Sequence, residues 1–278
     1  MFYPPDAATT QRMVVAWEHT QAATGGLITP GRGSLWGYEG RTLSGHATTD
    51  NGESVWLRLV GETTDRANGR LWEGPAAAQR QLSPGIPRPA LRTITQWVED
   101  DHTYRAEVYD LLTEQLVSAS PVIETDPELP AEWWANLRSA IDTLGSADPL
   151  DRDACREVYI RRRVPEFTGV VPGEIQWTTA HGDLHWSNLC GPTLAILDWE
   201  TWGKAPVGFD AAMLLVHSLL EPATASRVAE GFADVLDSDG GHLAQLIAVT
   251  QILQAADRTP FYTALAPAAR KHLDVLTE

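Results

Sequence analysis

The chain has 278 residues, of which 43% are hydrophobic and 21% charged, ordinary proportions for a folded protein and too apolar for a disordered one. Its formal net charge is −16, from 37 acidic against 21 basic residues, which disfavours nucleic acid and anionic membranes as partners and favours a cationic small molecule. No apolar run approaches the ~20 residues needed to cross a bilayer. The opening MFYPPDAATT lacks a secretory pattern, and Cys155 and Cys190 lack paired spacing. These features point to a cytoplasmic protein with no disulfide framework and no zinc site, and none of them implies a protein partner.

An opening helix is expected first, then turn-rich segments (TPGRGS, TTDNGES) alternating with short β-prone runs. Those runs are VWLRLV (55–60), LRTITQWV (91–98) and HTYRAEVYDLL (102–112), with one helix expected over 69–82 before the Pro-rich return PGIPRP. The segment 113–130 is polar and carries prolines, and the boundary is placed there, giving a β-rich unit over 1–112 and a mostly helical one over 113–278. After Pro130, which suits a first helical turn, Trp134, Leu137, Ile141 and Leu144 follow helical spacing. Leu243, Leu246, Ile247, Thr250 and Leu253 mark a second amphipathic helix. Between them lies a β-prone island: EIQWTTA (174–180), the loop HGDLHWSN (181–188) and LAILDWE (194–200).

The island carries the chemistry. Asp183 and Asn188 are five positions apart (188 − 183), and Asp198 follows ten later (198 − 188). Short strands flanking the loop predict a hairpin-like unit whose base brings Asn188 and Asp198 together while Asp183 projects. Transfer of a phosphoryl group needs such a set: one carboxylate orients and deprotonates the attacking hydroxyl, while an amide oxygen and a second carboxylate hold Mg²⁺ on the nucleotide phosphates. Little covalent chemistry falls to the protein, so positioning and charge neutralisation dominate.

In these residues the chain resembles the aminoglycoside phosphotransferases, a branch of the protein-kinase-like superfamily. His181, Gly182, Asp183 and Asn188 match the family's HGDxxxxN loop, Asp198 its downstream metal aspartate, and Asp210 in GFDAAML the Asp that opens the next helix. The resemblance implies an α+β, two-lobed kinase-like fold and an enzyme moving the terminal phosphate of Mg-ATP or Mg-GTP onto a small-molecule hydroxyl. It implies Asp183 as base, Asn188 and Asp198 as Mg²⁺ ligands, and His181 and Asp210 as braces. An antibiotic acceptor, in resistance or self-resistance, is the leading expectation, with metabolic phosphorylation of a sugar or amino alcohol as the alternative.

The first lobe departs from the family pattern. The family holds the phosphates with a lysine on the third strand, whereas the only lysines here are Lys204 and Lys271. Arg58 in VWLRLV can replace it, because a guanidinium contacts two phosphate oxygens, and Glu73 in the following helix is a candidate partner. Gly37, Gly40 and Arg41 are the candidate phosphate-covering turn. Trp186 and Trp202 are candidate stacking surfaces for an acceptor ring, with core packing the commoner role for tryptophan, and Glu200 a candidate for a cationic group.

Two rivals remain at this stage. His181, Asp183 and His185 form an HxDxH pattern that can ligate a metal for hydrolysis, though this leaves Asn188 and Asp198 without a role. The missing lysine also suits a nucleotide-binding protein without catalysis.

Overall fold

The computed structural model describes residues 4–33, 35–148 and 151–278. The chain divides into two compact units, Met1–Gln79 with Pro89–Thr113, and Arg80–Arg88 with Glu114–Glu278.

The first unit opens with α1 (Ala7–Ala23), whose N-cap Asp6 accepts from the Thr9 N–H at 2.6 Å. There follow β1 (Ile28–Pro30), β2 (Leu35–Trp36), β3 (Thr42–Thr49), β4 (Ser54–Thr63), α2 (Gly69–Gln81), β5 (Leu91–Glu99) and β6 (His102–Asp110). The sheet runs β1-β3-β4-β6-β5, with β2 also on β3, and every pairing is antiparallel. Strand alternation gives the sheet two different faces. Val55, Leu57, Leu59, Ala106 and Val108 join Met13 and Trp17 of α1 in one apolar core. The intervening positions place Arg58, Arg105 and Glu107 on the opposite face, where the Arg105 guanidinium lies 4.4 Å from the Trp72 ring of α2 and donates to the Trp72 carbonyl.

The second unit comprises β7 (Gln115–Leu116), α3 (Ala131–Gly145), α4 (Glu157–Thr168), β8 (Trp177–Ala180), β9 (Leu189–Gly191), β10 (Ala195–Ile196), β11 (Gly203–Pro206), α5 (Phe209–Val216), α6 (Pro222–Gly231), α7 (Ala233–Leu236), α8 (Asp239–Ala255) and α9 (Pro260–Thr277). On α3 the buried stripe is Trp133, Leu137, Ala140 and Leu144. Trp133 thus replaces the expected Trp134, because its indole N–H reaches the Cys190 carbonyl at 2.7 Å. The expected stripe of α8 is buried, together with most of that helix. Cys155 and Cys190 are both buried thiols. Among the described residues no helix is long and apolar enough to cross a membrane.

The island is built differently from the expected hairpin. β8 pairs with β11, antiparallel, and β9 pairs with β10. The two β-prone segments around the loop therefore do not pair with each other. The hairpin lies downstream of the loop, between Leu189 and Ile196, and its base holds the Leu197 N–H on the Asn188 carbonyl at 2.8 Å. The strand expected over 194–200 ends at Ile196, because Asp198 adopts a left-handed backbone with φ 59°.

Candidate active site

At the end of β8 the chain turns into His181-Gly182-Asp183. Gly182 has φ 85°, and a Cβ there would stand 2.8 Å from the Thr201 carbonyl oxygen, so only glycine fits the turn. His181 is 1% exposed. Its Nε2–H donates to the Leu197 carbonyl at 2.8 Å and its Nδ1 accepts from the Asp183 N–H at 3.3 Å. Burial depresses its pKa, so the ring that these bonds orient is neutral.

Asp210, in the first turn of α5, accepts from the N–H groups of His181 at 2.7 Å and Gly182 at 3.0 Å. Burial pushes the Asp210 pKa upward, against those two bonds and the nearby imidazole. Thr201 Oγ–H donates to the His181 carbonyl at 3.0 Å. The start of the loop is thus tied at each polar backbone atom named.

Asp183 stands on this frame with its side chain 41% exposed. Burial works to raise its pKa, but His185, with Nε2 3.6 Å from Oδ2, and then His181 and His217 hold it down at about 2. It is ionised at neutral pH. Burial lowers the His185 pKa, and the Asp183 and Asp198 charges outweigh it, so the net direction is up.

Asn188, 8% exposed, donates from Nδ2 to the Asp183 carbonyl at 2.9 Å, which puts its amide oxygen on the other edge of the group. The bond from Leu197 N–H to the Asn188 carbonyl holds the Asp198 segment beside it. Asp198 is exposed, and its left-handed φ, which an aspartate tolerates better than most residues, turns the chain away from strand geometry. The donors on offer are hard oxygens, one amide and one carboxylate. Among the described residues no group of three His, Cys, Asp or Glu side chains gathers as a metal cage. Two protein oxygens suit magnesium, which keeps waters and takes substrate phosphates. They do not suit zinc held by HxDxH, since both nitrogens of His181 are already bonded.

In the first unit Arg58 meets a different partner from the one expected. Its Nη1 donates to Glu107 Oε2 at 2.9 Å, in direct cross-strand register between β4 and β6. Glu107 is fully buried and is also paired with Arg105 at 2.8 Å and with the Tyr109 hydroxyl, which donates at 2.9 Å. Glu73 points to solvent from α2. The carboxylate facing Arg58 is therefore supplied by the sheet, because the same-face position on the next strand is nearer than a helix. Glu107→Gln leaves two arginines without their buried counter-charge. We expect it to cost about 3–5 kcal/mol in urea unfolding. A loss within the error of the measurement would mean that the cluster is not held by charge.

The glycine turn also differs from a phosphate cradle. The Gly37 N–H donates to the Thr42 carbonyl at 3.0 Å and the Gly40 N–H to the Gly37 carbonyl at 3.1 Å, so both are spent inside the turn. Gly40, at φ 70°, is packed against Pro4 and Thr9. Arg41 Nε lies 3.9 Å from Glu62. Trp186 and Trp202 are both 0% exposed and offer no face to a ligand. Trp186 stacks on Trp133 at 6.3 Å and donates to the Ser218 hydroxyl at 3.0 Å, while Arg152 covers Trp202. The side chain of Glu200 is buried as well, and a surface charge for a cation is not what it presents.

His217, which the sequence reading did not single out, is 1% exposed, with its ring 5.7 Å from that of His185. Burial, then the charge of His185, pushes its pKa down from 6.5 to about 4. Between those values the unfolded chain binds a proton that the folded one refuses, so stability falls as pH drops through this window. The full window corresponds to about 3 kcal/mol. We expect the melting temperature to fall between pH 7 and pH 5, and His217→Gln to fall less. Equal slopes would contradict this. The one signal available in the sequence was spacing: His217 lies seven residues after Asp210 (217 − 210), two helical turns along.

No family model matches the chain, and no curated protein is similar to it in sequence. Among solved structures, a thermostable mutant of the aminoglycoside phosphotransferase APH(4)-Ia, in ternary complex with ADP and hygromycin B, is 12% identical with TM-score 0.61, covering 94% of this chain and 97% of its own. A choline/ethanolamine kinase family protein from Mesorhizobium loti is 14% identical with TM-score 0.58, covering 97% of this chain and 95% of its own. The spectinomycin phosphotransferase APH(9)-Ia, in complex with ADP and its antibiotic, is 10% identical with TM-score 0.52, covering 86% and 87%. At these identities the likeness is one of fold. The chain has the two-lobed, kinase-like fold of aminoglycoside phosphotransferases and related small-molecule kinases.

Proposed function

We propose that this protein is a small-molecule O-phosphotransferase, moving the terminal phosphate of Mg-ATP or Mg-GTP onto a hydroxyl of its acceptor. The observation that carries the reading is the braced loop, in which an ionised Asp183 stands beside the amide of Asn188 and the left-handed turn at Asp198. The fold it shares with an ADP- and hygromycin-bound phosphotransferase supports it.

In this mechanism Asp183 accepts a hydrogen bond from the acceptor hydroxyl, orients it for attack and receives its proton. Asn188 and Asp198 would hold the magnesium, which when bound would neutralise charge on the phosphates. His181 and Asp210 keep the loop in register. In the first unit, Arg58, held by Glu107, is the candidate contact for nucleotide phosphates. A protein that only bound nucleotide would have no use for the carboxylate at 183. The leading acceptor class is a hydroxylated antibiotic. An amino alcohol is the second, favoured by the net charge of −16 and by the shared fold of the choline/ethanolamine kinase family protein.

Incubation with each Mg-nucleotide and hygromycin B, spectinomycin, ethanolamine or choline should yield an acceptor heavier by one phosphate. Nucleotide left intact with every acceptor tried, antibiotics and metabolites alike, would count against the reading. Asp198→Ala should impair transfer more than Asn188→Ala, because its charge opposes the cation directly, and added Mg²⁺ should partly rescue only Asn188→Ala. Activity that survives chelation would exclude the metal roles.

A further inference from the structure

His217 follows directly on α5, the helix whose first turn carries Asp210, so one helix touches the catalytic loop at both ends. Its Nδ1–H donates to the Met213 carbonyl at 2.7 Å, which leaves Nε2 with a lone pair and makes that atom a hydrogen-bond acceptor. Nε2 is buried and has no hydrogen-bond partner among the described residues. Buried polar atoms nearly always have one, so this nitrogen calls for a donor that the described residues do not provide. The neighbouring imidazole is already engaged. His185 has Nδ1 3.2 Å from the Ser187 hydroxyl and Nε2 facing Asp183 at 3.6 Å and the Asn188 amide at 3.4 Å. On another side the Tyr262 ring, in the first turn of α9, stands edge-on to His217 with centroids 5.9 Å apart.

We propose that His217 is an acceptor-binding residue whose Nε2 takes a hydrogen bond from an N–H or O–H of the small molecule that presents a nearby hydroxyl to Asp183. The proposal rests on the phosphotransferase reading of the loop and narrows its substrate class. The acceptor carries a second donor close to the hydroxyl that is phosphorylated, as in a polyol or an amino alcohol with N–H. A quaternary ammonium, which has no N–H, cannot satisfy this nitrogen.

The test is a ring-nitrogen NMR spectrum of the ¹⁵N-labelled full chain with Mg²⁺ and an unreactive ATP analogue, with the His217 signal identified by its loss in His217→Gln. Ethanolamine, choline, hygromycin B and spectinomycin are added separately. The expected result is that the His217 Nε2 signal moves upfield with at least one of the three probes that carry such a donor and stays in place with choline. His217→Phe should bind that probe roughly tenfold more weakly. His217→Gln, which restores an acceptor oxygen, should recover part of the affinity. Thermal melts of both variants confirm that they are folded. A signal unmoved by all four probes, an equal response to choline and ethanolamine, or parental affinity in His217→Phe would overturn the proposal. Phosphate transfer to a probe that leaves His217 unmoved would overturn it while sparing the phosphotransferase reading. A His217 response with no transfer from either Mg-nucleotide would leave a small-molecule site and remove its part in catalysis.

Discussion

Asp183→Asn should turn over its acceptor roughly 10²–10⁴-fold more slowly than the parent while binding nucleotide as the parent does. The variant keeps the shape of the side chain and the loop bonds beneath it, which run through the backbone of Asp183 and not its carboxylate. What is lost is the oxygen that orients the hydroxyl and takes its proton. A carboxylate held at about 2 is a weak base, so its main part is orientation, with proton uptake late in a loose transition state. The same depression means that Asp183 adds no acid limb to the rate between about pH 5 and 8. Its contribution to folding has the corresponding sign: present above the ordinary value of 3.8, and lost as pH falls through about 2. Parental turnover in Asp183→Asn would remove it from the mechanism.

The second large effect is structural. Asp210→Ala takes away the carboxylate that receives the His181 and Gly182 N–H groups, and both are left without their acceptor where the chain turns into the loop. An unsatisfied buried donor costs roughly 1–3 kcal/mol, so a loss of about 2–4 kcal/mol is expected in urea unfolding. Asp210→Asn keeps an acceptor oxygen and should lose less. Transfer by the fraction still folded should also fall, since the loop that carries Asp183 would no longer be held. A change below about 0.5 kcal/mol would show that the brace is dispensable.

The parts of this site that were legible in the sequence are those whose groups lie close together along the chain. Asp183, Asn188 and Asp198 fall within sixteen positions (183 to 198), so residue type and spacing suffice to group them, while the roles proposed for them come from the resemblance to the family's loop. The strand-rich first unit and helical second one follow from turn clusters and helical periodicity. Pairing was harder. LAILDWE opens as a β-prone run, and nothing in its composition announces that Asp198 takes φ 59° and ends the strand. The true partner of β8 is GKAP, a segment with a lysine and a proline that propensity ranks poorly. The ion pair of Arg58 joins residues 49 positions apart, and alternation gives the face of the sheet without naming the partner. His217 lies in AAMLLVHSLL, where a histidine among apolar residues reads as core; its spacing from Asp210 is a faint signal, and its unpartnered nitrogen shows only in the fold.

The account turns on whether a phosphate passes from nucleotide to a small-molecule hydroxyl through Asp183. The direct measurement follows label from γ-³²P nucleotide, ATP and GTP separately with Mg²⁺, in the parent and in Asp183→Asn with the same acceptors. The account predicts label on an acceptor hydroxyl with the parent, and at least ~100-fold less with the variant. Label released only to water, or reaching the acceptor equally in both proteins, would contradict it.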